Sequence, residues 1–330
     1  MSNPGAFRFD KYGSLKITFG GLVSLLKWIV LPAAFSFLAY KLLTFNQYDE
    51  LLEQWKQLPL SKFWWLGGVF VLLPLNWLLE ASKWKQLVSK IQILSLWNAL
   101  KGVMAGISTG FLTPNRVGEL VGRVLYLDAD NRKAGVTLSL VNSLTQNIIL
   151  VLCGVPASAL FLSASHGKVE LNSTLYLIIL IVSLLIFGGI YFQLPRLSRL
   201  FKQSRYSEKI KAFTDCLSSY TKKDLLQIML ISLGRYCVFC TQFFFMLRFM
   251  GVELSVWQAL ISIPTTYLLV TFTPSLAFSE VAVRSSYAVL VIGVFSGQVV
   301  SIALAGMCIW LVNFVIPMLA GAVVLAGGKK

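Results

Sequence analysis

The chain has 330 residues, of which 56% are hydrophobic and only 13% are charged, against about 25% charged residues in soluble domains. So apolar a chain cannot cover a water-soluble fold with polar surface, and we exclude a soluble enzyme. Basic residues outnumber acidic residues by 29 to 14. On an apolar chain this excess indicates the positive-inside bias of membrane proteins and not a nucleic-acid-binding surface.

Six stretches are long and apolar enough to cross a bilayer, which takes about 20 residues per helix. They are residues 19–45, 62–82, 134–163, 171–193, 226–250 and 298–326. The first is too long for the core of a signal peptide, so we predict an uncleaved membrane helix there. The sequence therefore predicts an all-α, polytopic integral membrane protein with a single transmembrane domain over residues 1–330.

Two further apolar segments, residues 95–127 and 255–291, are interrupted by a Thr-Pro dipeptide and by charged residues. Proline removes a backbone donor and ends or kinks a helix. Irregular backbone is tolerated at membrane depth only where it is buried in protein or lines a cavity. We therefore predict that each segment forms a re-entrant hairpin of two half-helices.

The two interrupted segments are related to each other in sequence. SLWNAL begins at Ser95 and SVWQAL begins at Ser255, an offset of 160 residues that Thr113-Pro114 and Thr273-Pro274 also keep. Three complete spans separate the copies, and an odd number of crossings turns the second copy upside down. We predict an inverted repeat, a transporter device, with one copy at about 62–163 and the other at about 226–326.

The distribution of basic residues predicts the orientation. If the N-terminus is cytoplasmic, 20 of the 29 basic residues fall in cytoplasmic segments and three, Lys56, Lys62 and Lys168, fall in outer loops. This bias predicts both termini on the cytoplasmic side of the inner or plasma membrane. We interpret the basic, amphipathic connection at 195–225 as a segment lying on anionic headgroups, with a docking site for a partner protein as the alternative.

Each Thr-Pro is followed by a Glu and, four residues later, by an Arg: Glu119 with Arg123, and Glu280 with Arg284. An ionisable group in a membrane helix costs about 3 kcal/mol on insertion scales, so these pairs indicate a binding site or ion pairs that fix the hairpin. The helix that starts after each Thr-Pro would direct free N–H groups into a cavity, which suits an anion. Arg116 is predicted in the opening turn of the first such helix, on one face with Glu119 and Arg123. Gly118 and Gly122 predict close helix packing.

Other polar residues inside apolar segments add to the candidate site. Ser139, Asn142, Ser143 and Gln146 recur at helical spacing and predict a stripe that faces the bundle interior. Arg235 lies about 14 Å of helix into its span, too deep to reach the interface easily. We interpret Glu80 and Lys83, at the end of the second span, as an interfacial anchor.

The candidate substrate-binding residues are Thr113, Pro114, Arg116, Glu119, Arg123, Asn142, Gln146, Arg235, Thr273, Pro274, Glu280 and Arg284. We predict no catalytic residue, no metal ligand and no cofactor. Cys237 and Cys240 form a C-x-x-C in an apolar run without a nearby histidine, so we predict ordinary buried cysteines there.

The run STGFLTPNRVGELVGRVLYL, from Ser108 to Leu127, resembles the P-G-R-x-G-E-hydrophobic-x-R signature of the lysylphosphatidylglycerol synthase transmembrane, or flippase-like, family, with Asn115 in place of the usual glycine. The later FTPSLAFSEVAVR resembles the second signature of that family loosely. The resemblance implies a translocase that moves a polar-headgroup phospholipid, or a polyprenyl-linked or glycolipid, between leaflets. We expect a stand-alone membrane domain without the soluble aminoacyltransferase domain of the bifunctional synthases.

Two other functions stay open at this stage. Asp128 and Asp130 form a D-x-D that could hold a divalent metal on a sugar nucleotide, which would indicate an enzyme or accessory factor of polyprenyl-linked sugar transfer. A secondary transporter of a soluble solute would share the inverted repeat. The expected partner is a membrane lipid with an anionic or zwitterionic headgroup or a polyprenyl chain, and no nucleic acid. Proton or ion coupling through Glu119 or Glu280, and homo-oligomerisation, stay open as well.

Overall fold

The computed structural model describes residues 7–9, 15–17, 59–111, 113, 116–166, 173–202, 217–273 and 279–327. The predicted first span at 19–45 lies outside these residues, as do Pro114, Pro274 and residues 203–216 of the basic connection. Near the N-terminus, β1 (Phe7–Phe9) pairs antiparallel with β2 (Leu15–Ile17), so that Arg8 is opposite Lys16.

The rest of the described chain is built from helices and short connections. In chain order the α-helices are α1 (Phe63–Val88), α2 (Leu96–Phe111), α3 (Gly118–Val124), α4 (Arg132–His166), α5 (Ser173–Ser183), α6 (Gly189–Lys202), α7 (Lys222–Phe249), α8 (Val256–Phe272), α9 (Glu280–Ile292), α10 (Val299–Trp310) and α11 (Ile316–Ala326). One π-helical turn, Leu184–Gly188, joins α5 to α6, and another, Leu311–Val315, joins α10 to α11. The prediction of an all-α membrane protein is confirmed.

Five helical segments are long and apolar enough to cross a membrane: Leu60–Val88, Ala129–Ser165, Thr174–Arg196, Lys222–Phe249 and Val299–Ala326. They correspond to five of the six predicted spans. Many of their apolar side chains are exposed, for example Val71, Leu185 and Val323. In a membrane helix such side chains face lipid.

The two interrupted segments form the predicted hairpins. In the first, α2 ends at Phe111 and α3 begins at Gly118; in the second, α8 ends at Phe272 and α9 begins at Glu280. Glycines allow α2 and α3 to pack closely. A Cβ atom added at Gly122 would lie 2.6 Å from the carbonyl oxygen of Ala105, and one added at Gly118 would lie 2.3 Å from that of Thr109. The predicted close packing at the G-x-x-x-G is confirmed.

Helices α1 and α7, which open the two repeats, lie side by side and run antiparallel. The Gln242 side chain donates to the Val69 carbonyl oxygen (3.0 Å) near one end of the pair, and Gln86 donates to Gln227 (2.6 Å) near the other. Residue numbers therefore rise along α1 as they fall along α7. Because corresponding helices of the two repeats point in opposite directions, the repeat is inverted.

The two repeats also exchange packing partners. The first half-helix of the first hairpin, α2, packs against α11 at the end of the second repeat, and α8 of the second hairpin packs against α4 at the end of the first repeat. Glycines mark both contacts: a Cβ atom on Gly321 would lie 2.0 Å from the Met104 carbonyl oxygen, and one on Gly154 would lie 2.9 Å from Leu268 Cβ. Each hairpin therefore packs against the opposite repeat, and the two hairpins meet at the interface between the repeats.

Candidate functional site

The carboxylate of Glu80, on α1, lies at the centre of a buried cluster of charges. Its Oε1 lies 2.6 Å from a guanidinium nitrogen of Arg123, and its Oε2 lies 2.9 Å from Arg235 and 3.0 Å from the ammonium of Lys83. The Asn142 side-chain amide donates to Oε1 at 2.8 Å. Glu80 is 1% exposed, Lys83 0% and Arg123 3%. Ion pairs this deeply buried are retained only when each charge has close partners.

Arg123 joins this cluster to the first hairpin. The same guanidinium nitrogen that contacts Glu80 also donates to Glu119, one helical turn earlier on α3. The i,i+4 pair predicted from the sequence is therefore formed, and it is shared with a second carboxylate. Because α3 has only seven residues, these ion pairs and the close glycine contacts with α2 hold it in place.

The second hairpin carries the corresponding pair, and here it reaches across to the first. Arg284 on α9 donates to Glu280 at 2.9 Å, as its i,i+4 spacing predicts. The other oxygen of Glu280 accepts a hydrogen bond from Arg116 at 2.6 Å. Glu280 thus binds one guanidinium from each repeat and connects the two hairpin breaks directly.

Arg116 differs from the sequence prediction in its backbone. It lies two residues before α3 begins, and its φ of 57° is the one positive value among the non-glycine residues that the structure describes. The left-handed conformation is uncommon for a residue with a Cβ. The prediction that Arg116 shares a helical face with Glu119 and Arg123 was wrong, because this bend lies before the helix. Arg116 instead reaches Glu280.

A cavity of about 100 Å³ lies beside these pairs. The charged residues in its lining are Arg116, Glu119, Arg235 and Arg284, and the remaining lining residues are Ile107, Phe239, Tyr267, Ile309, Trp310, Asn313 and Phe314. It is smaller than the about 300 to 1,000 Å³ typical of pockets for whole small molecules. A compact polar group fits, and a complete lipid does not.

Aromatic rings lie beside all three arginines of the cavity. The guanidinium carbon of Arg116 lies 4.1 Å from the ring centre of Phe314, that of Arg235 lies 4.9 Å from Phe239, and that of Arg284 lies 5.5 Å from Tyr267. Such contacts are favourable cation–π interactions. They also hold the planar guanidinium groups in place, so that the groups are arranged before a ligand arrives.

Polar side chains connect the central helices beside the cavity. Asn76 on α1 accepts a hydrogen bond from Nε of Arg235 on α7 (2.9 Å) and donates to Asn313 (3.0 Å). The repeat offset of 160 takes position 76 to position 236, next to Arg235. Asn76 therefore lies where α1 meets its own repeat equivalent, close to the axis that relates the two halves. Asn313 belongs to the π-helical turn Leu311–Val315, and such turns are frequent at functional sites.

The N-termini of α3 and α9 do not provide the anion site that the sequence predicted. Each second half-helix has its own carboxylate in the first turn, Glu119 in α3 and Glu280 in α9. Each carboxylate already interacts with the positive N-terminal end of its own helix dipole. The positive charge that faces the cavity comes instead from the guanidinium groups of Arg116, Arg235 and Arg284.

Six of the predicted residues that the structure describes lie outside the cavity lining. Arg123 and Glu280 form the ion pairs beside the cavity, and the other four are uncharged polar residues. Thr113 Oγ1 accepts from the Gly118 backbone N–H (2.7 Å), and Thr273 Oγ1 donates to the Leu269 carbonyl oxygen (2.7 Å) and is 3.0 Å from the Tyr287 hydroxyl. Both threonines therefore shape the hairpin breaks. Asn142 holds Glu80, and Gln146 accepts weakly from Lys83 at 3.4 Å. Their predicted role in substrate binding stays a prediction, and Pro114 and Pro274 lie outside the described residues.

Three sequence interpretations need correction. Glu80 and Lys83 do not form an exposed anchor, because α1 continues to Val88 and both side chains are buried inside the bundle. Ser143 is exposed, although its stripe was predicted to face inward. Cys237 is also exposed, while Cys240 is half-buried, because an apolar run in a membrane helix can face lipid.

Residues 19–324 match the family described as the lysylphosphatidylglycerol synthase TM region, which covers nearly the whole chain. The chain belongs to this family. No curated protein and no solved structure matches it significantly. The membership makes the chain a membrane protein related to lipid handling, and the charged cavity between its two hairpins is the candidate site.

Proposed function

We propose that the protein is a lipid translocase that moves a polar-headgroup lipid between the two leaflets. The observation that carries this proposal is the position of the cavity, which is lined by arginines from both inverted repeats and bridged by the Arg116 to Glu280 ion pair. In inverted-repeat transporters, a site at the repeat interface opens alternately to each side when one repeat moves against the other.

The size and lining of the cavity support a lipid as the substrate. A space of about 100 Å³ admits a polar group, and the charged lining suits a headgroup. The acyl chains would stay in the bilayer, against the exposed apolar faces of the helices. Lipid substrates have no need of a wide aqueous pathway, whereas a soluble solute of similar polarity does.

We assign transport and not bond chemistry to this site. In the D-x-D that suggested a sugar transferase, Asp128 precedes the short turn Ala129–Asn131 and Asp130 lies within it. Both carboxylates are exposed, and neither lies in the cavity lining. The chain carries no recognisable nucleotide-binding motif, so we propose that transport is driven by the lipid gradient or by an ion. The positive-inside bias supports the cytoplasmic membrane as the location, with both termini on the cytoplasmic side.

The direct test is transbilayer movement in vesicles that contain the purified protein and trace amounts of fluorescent lipids. Lipid in the outer leaflet is quenched by an impermeant reductant, and the rate of the second, slow loss of fluorescence reports exchange. Wild-type protein should accelerate exchange over protein-free vesicles. Arg235→Gln removes a cavity guanidinium and should slow exchange by about tenfold or more, the loss expected for one charge-assisted hydrogen bond.

Arg248→Gln provides a matched control on the same helix. Arg248 donates to the Leu254 carbonyl oxygen at the far end of α7 and does not line the cavity, so this variant should exchange lipid at the wild-type rate. Equal rates for wild-type protein, both variants and empty vesicles would contradict a translocase for the lipids tried. Protein-dependent uptake of a soluble solute without lipid exchange would point to the alternative transporter.

A further inference from the structure

The charged cluster has more cations than anions. Lys83, Arg123 and Arg235 pair with Glu80 and Glu119. Beside them, Arg116 and Arg284 pair with Glu280. Five positive groups against three negative groups leave an excess of two positive charges. Charge that is withdrawn from water and not neutralised is unfavourable. The Arg116, Arg235 and Arg284 side chains are 38%, 18% and 16% exposed, so the excess positive charge lies at the cavity.

The rest of the membrane region cannot supply the missing negative charge. Residues 19–45 contain no Asp or Glu, and neither do the hairpin positions that the structure does not describe, at 112, 114, 115 and 274–278. The remaining acidic residues of the chain lie in segments predicted outside the bilayer or at its surface. A ligand is therefore the natural source of the two negative charges.

The lining of the cavity offers hydrogen-bond donors far more than acceptors. Arg116, Arg235 and Arg284 carry only N–H donors, and Glu119 is the one carboxylate in the lining. Two further lining residues have buried donors without a partner among the described residues, Trp310 at Nε1 and Asn313 at Nδ2. Trp310 is only 9% exposed. Such a lining matches a group that carries acceptors and no donors.

We infer that the cavity binds a phosphate group with two negative charges, such as the terminal phosphomonoester or diphosphate of a lipid, in preference to a zwitterionic or singly charged headgroup. Guanidinium groups bind phosphate oxygens through two parallel hydrogen bonds, and three of them converge here from the first hairpin, α7 and the second hairpin. The lipid source of the phosphate rests on the proposed function, whereas the phosphate chemistry rests on the cluster alone.

The test is binding of short-chain lipids to the full-length protein in neutral detergent, measured by isothermal titration calorimetry. The probes are phosphatidic acid, a monoester; phosphatidylglycerol, a singly charged diester; phosphatidylcholine, a zwitterion; and inorganic phosphate. We expect phosphatidic acid to bind about tenfold or more tightly than phosphatidylglycerol, the step expected for loss of a charge-assisted contact, and phosphatidylcholine to bind most weakly. Equal dissociation constants for the three lipids would overturn the inference.

Two variants locate the binding. Arg284→Gln should weaken phosphatidic acid binding by about tenfold or more and bring it close to phosphatidylglycerol. Arg132→Gln removes the same charge from an exposed residue outside the cavity and should leave every affinity unchanged. If Arg132→Gln weakened binding as much as Arg284→Gln, the preference would come from general surface charge, and the cavity assignment would be wrong.

Inorganic phosphate separates the two sources of the anion. We expect it to displace phosphatidic acid only at concentrations far above those of the lipid, because a free ion lacks the acyl chains that lie in the apolar surroundings. Displacement at equal concentration would show a site for free phosphate and would overturn the lipid assignment. The selectivity of binding is measured independently of transport. Selective binding without lipid exchange would contradict the proposed function alone. Exchange of all three lipids with equal binding affinities would contradict this inference alone.

Discussion

Arg116 of the first hairpin donates a hydrogen bond to Glu280 of the second at 2.6 Å. The two residues belong to opposite repeats, so the pair crosses the boundary between the repeats, along which the proposed transport would require movement. Arg116 also occupies the left-handed backbone region, which a side chain with a Cβ adopts at a cost. In the proposed transport cycle, this contact would break and form again.

We predict that Arg116 and Glu280 are energetically coupled. The variant Arg116→Asn removes the charge and keeps a residue type that tolerates the left-handed region. Combined with Glu280→Gln, it should lose less stability than the two single variants together, with an interaction energy of about 0.5 to 3 kcal/mol. Reversible unfolding of all four proteins in mixed micelles measures this value. Strictly additive losses would mean that the pair contributes nothing.

Glu80→Gln should be among the most destabilising conservative substitutions in the chain. It removes the carboxylate shared by Arg123, Arg235 and Lys83, and breaking a buried ion pair costs about 3 to 5 kcal/mol. The same exchange at the exposed Glu253 should change the free energy of unfolding by less than about 0.5 kcal/mol. Thermal unfolding of both variants in detergent makes the comparison, and similar melting temperatures would refute the central role of Glu80.

Glycine substitutions should separate packed from open helix faces. Gly321→Ala places a Cβ against the Met104 carbonyl oxygen, where α2 and α11 touch. At Gly234, no described residue lies within 4 Å of an added Cβ. We expect Gly321→Ala to destabilise by about 1 to 3 kcal/mol through overpacking. Gly234→Ala should be neutral or stabilise by up to about 1 kcal/mol. Folded yield and unfolding free energy report both effects, and a neutral Gly321→Ala would contradict the close contact.

Cross-linking should report the antiparallel arrangement of α1 and α7. In a chain whose natural cysteines are replaced, Gln86→Cys together with Gln227→Cys should react with a short bismaleimide, because the two native side chains lie 2.6 Å apart. Gln86→Cys with Gln258→Cys provides the negative control, since Gln258 lies in the first turn of α8, which follows the opposite end of α7. A shift in electrophoretic mobility in the second pair and not in the first would indicate parallel helices.

The hairpins could be predicted from the sequence because their signals are local or repeated. Three signals can be read directly in the sequence: the Thr-Pro breaks, the Glu and Arg four residues apart, and the offset of 160 between the copies. Arg235 could be identified from its depth in an apolar run. These features depend on neighbouring residues or on comparison of one segment with another.

The centre of the site could not be predicted, because its contacts join distant segments. Glu80 meets Arg123, Asn142 and Arg235 from three other helices, and spacing along α1 shows only its pair with Lys83. Asn76 and Asn313 are single polar residues in apolar segments, and a single polar residue does not by itself indicate a functional site. The left-handed backbone conformation of Arg116 could not be predicted either, because nothing in the neighbouring sequence requires a positive φ there.

The exchange of packing partners between the repeats has a consequence for biogenesis. Helix α2 is synthesised well before its partner α11. Until α11 has been made, the face of α2 that packs against Gly321 lacks this partner, so the first hairpin cannot complete its packing. The hairpin that is synthesised first therefore completes its packing only after the second repeat has been made.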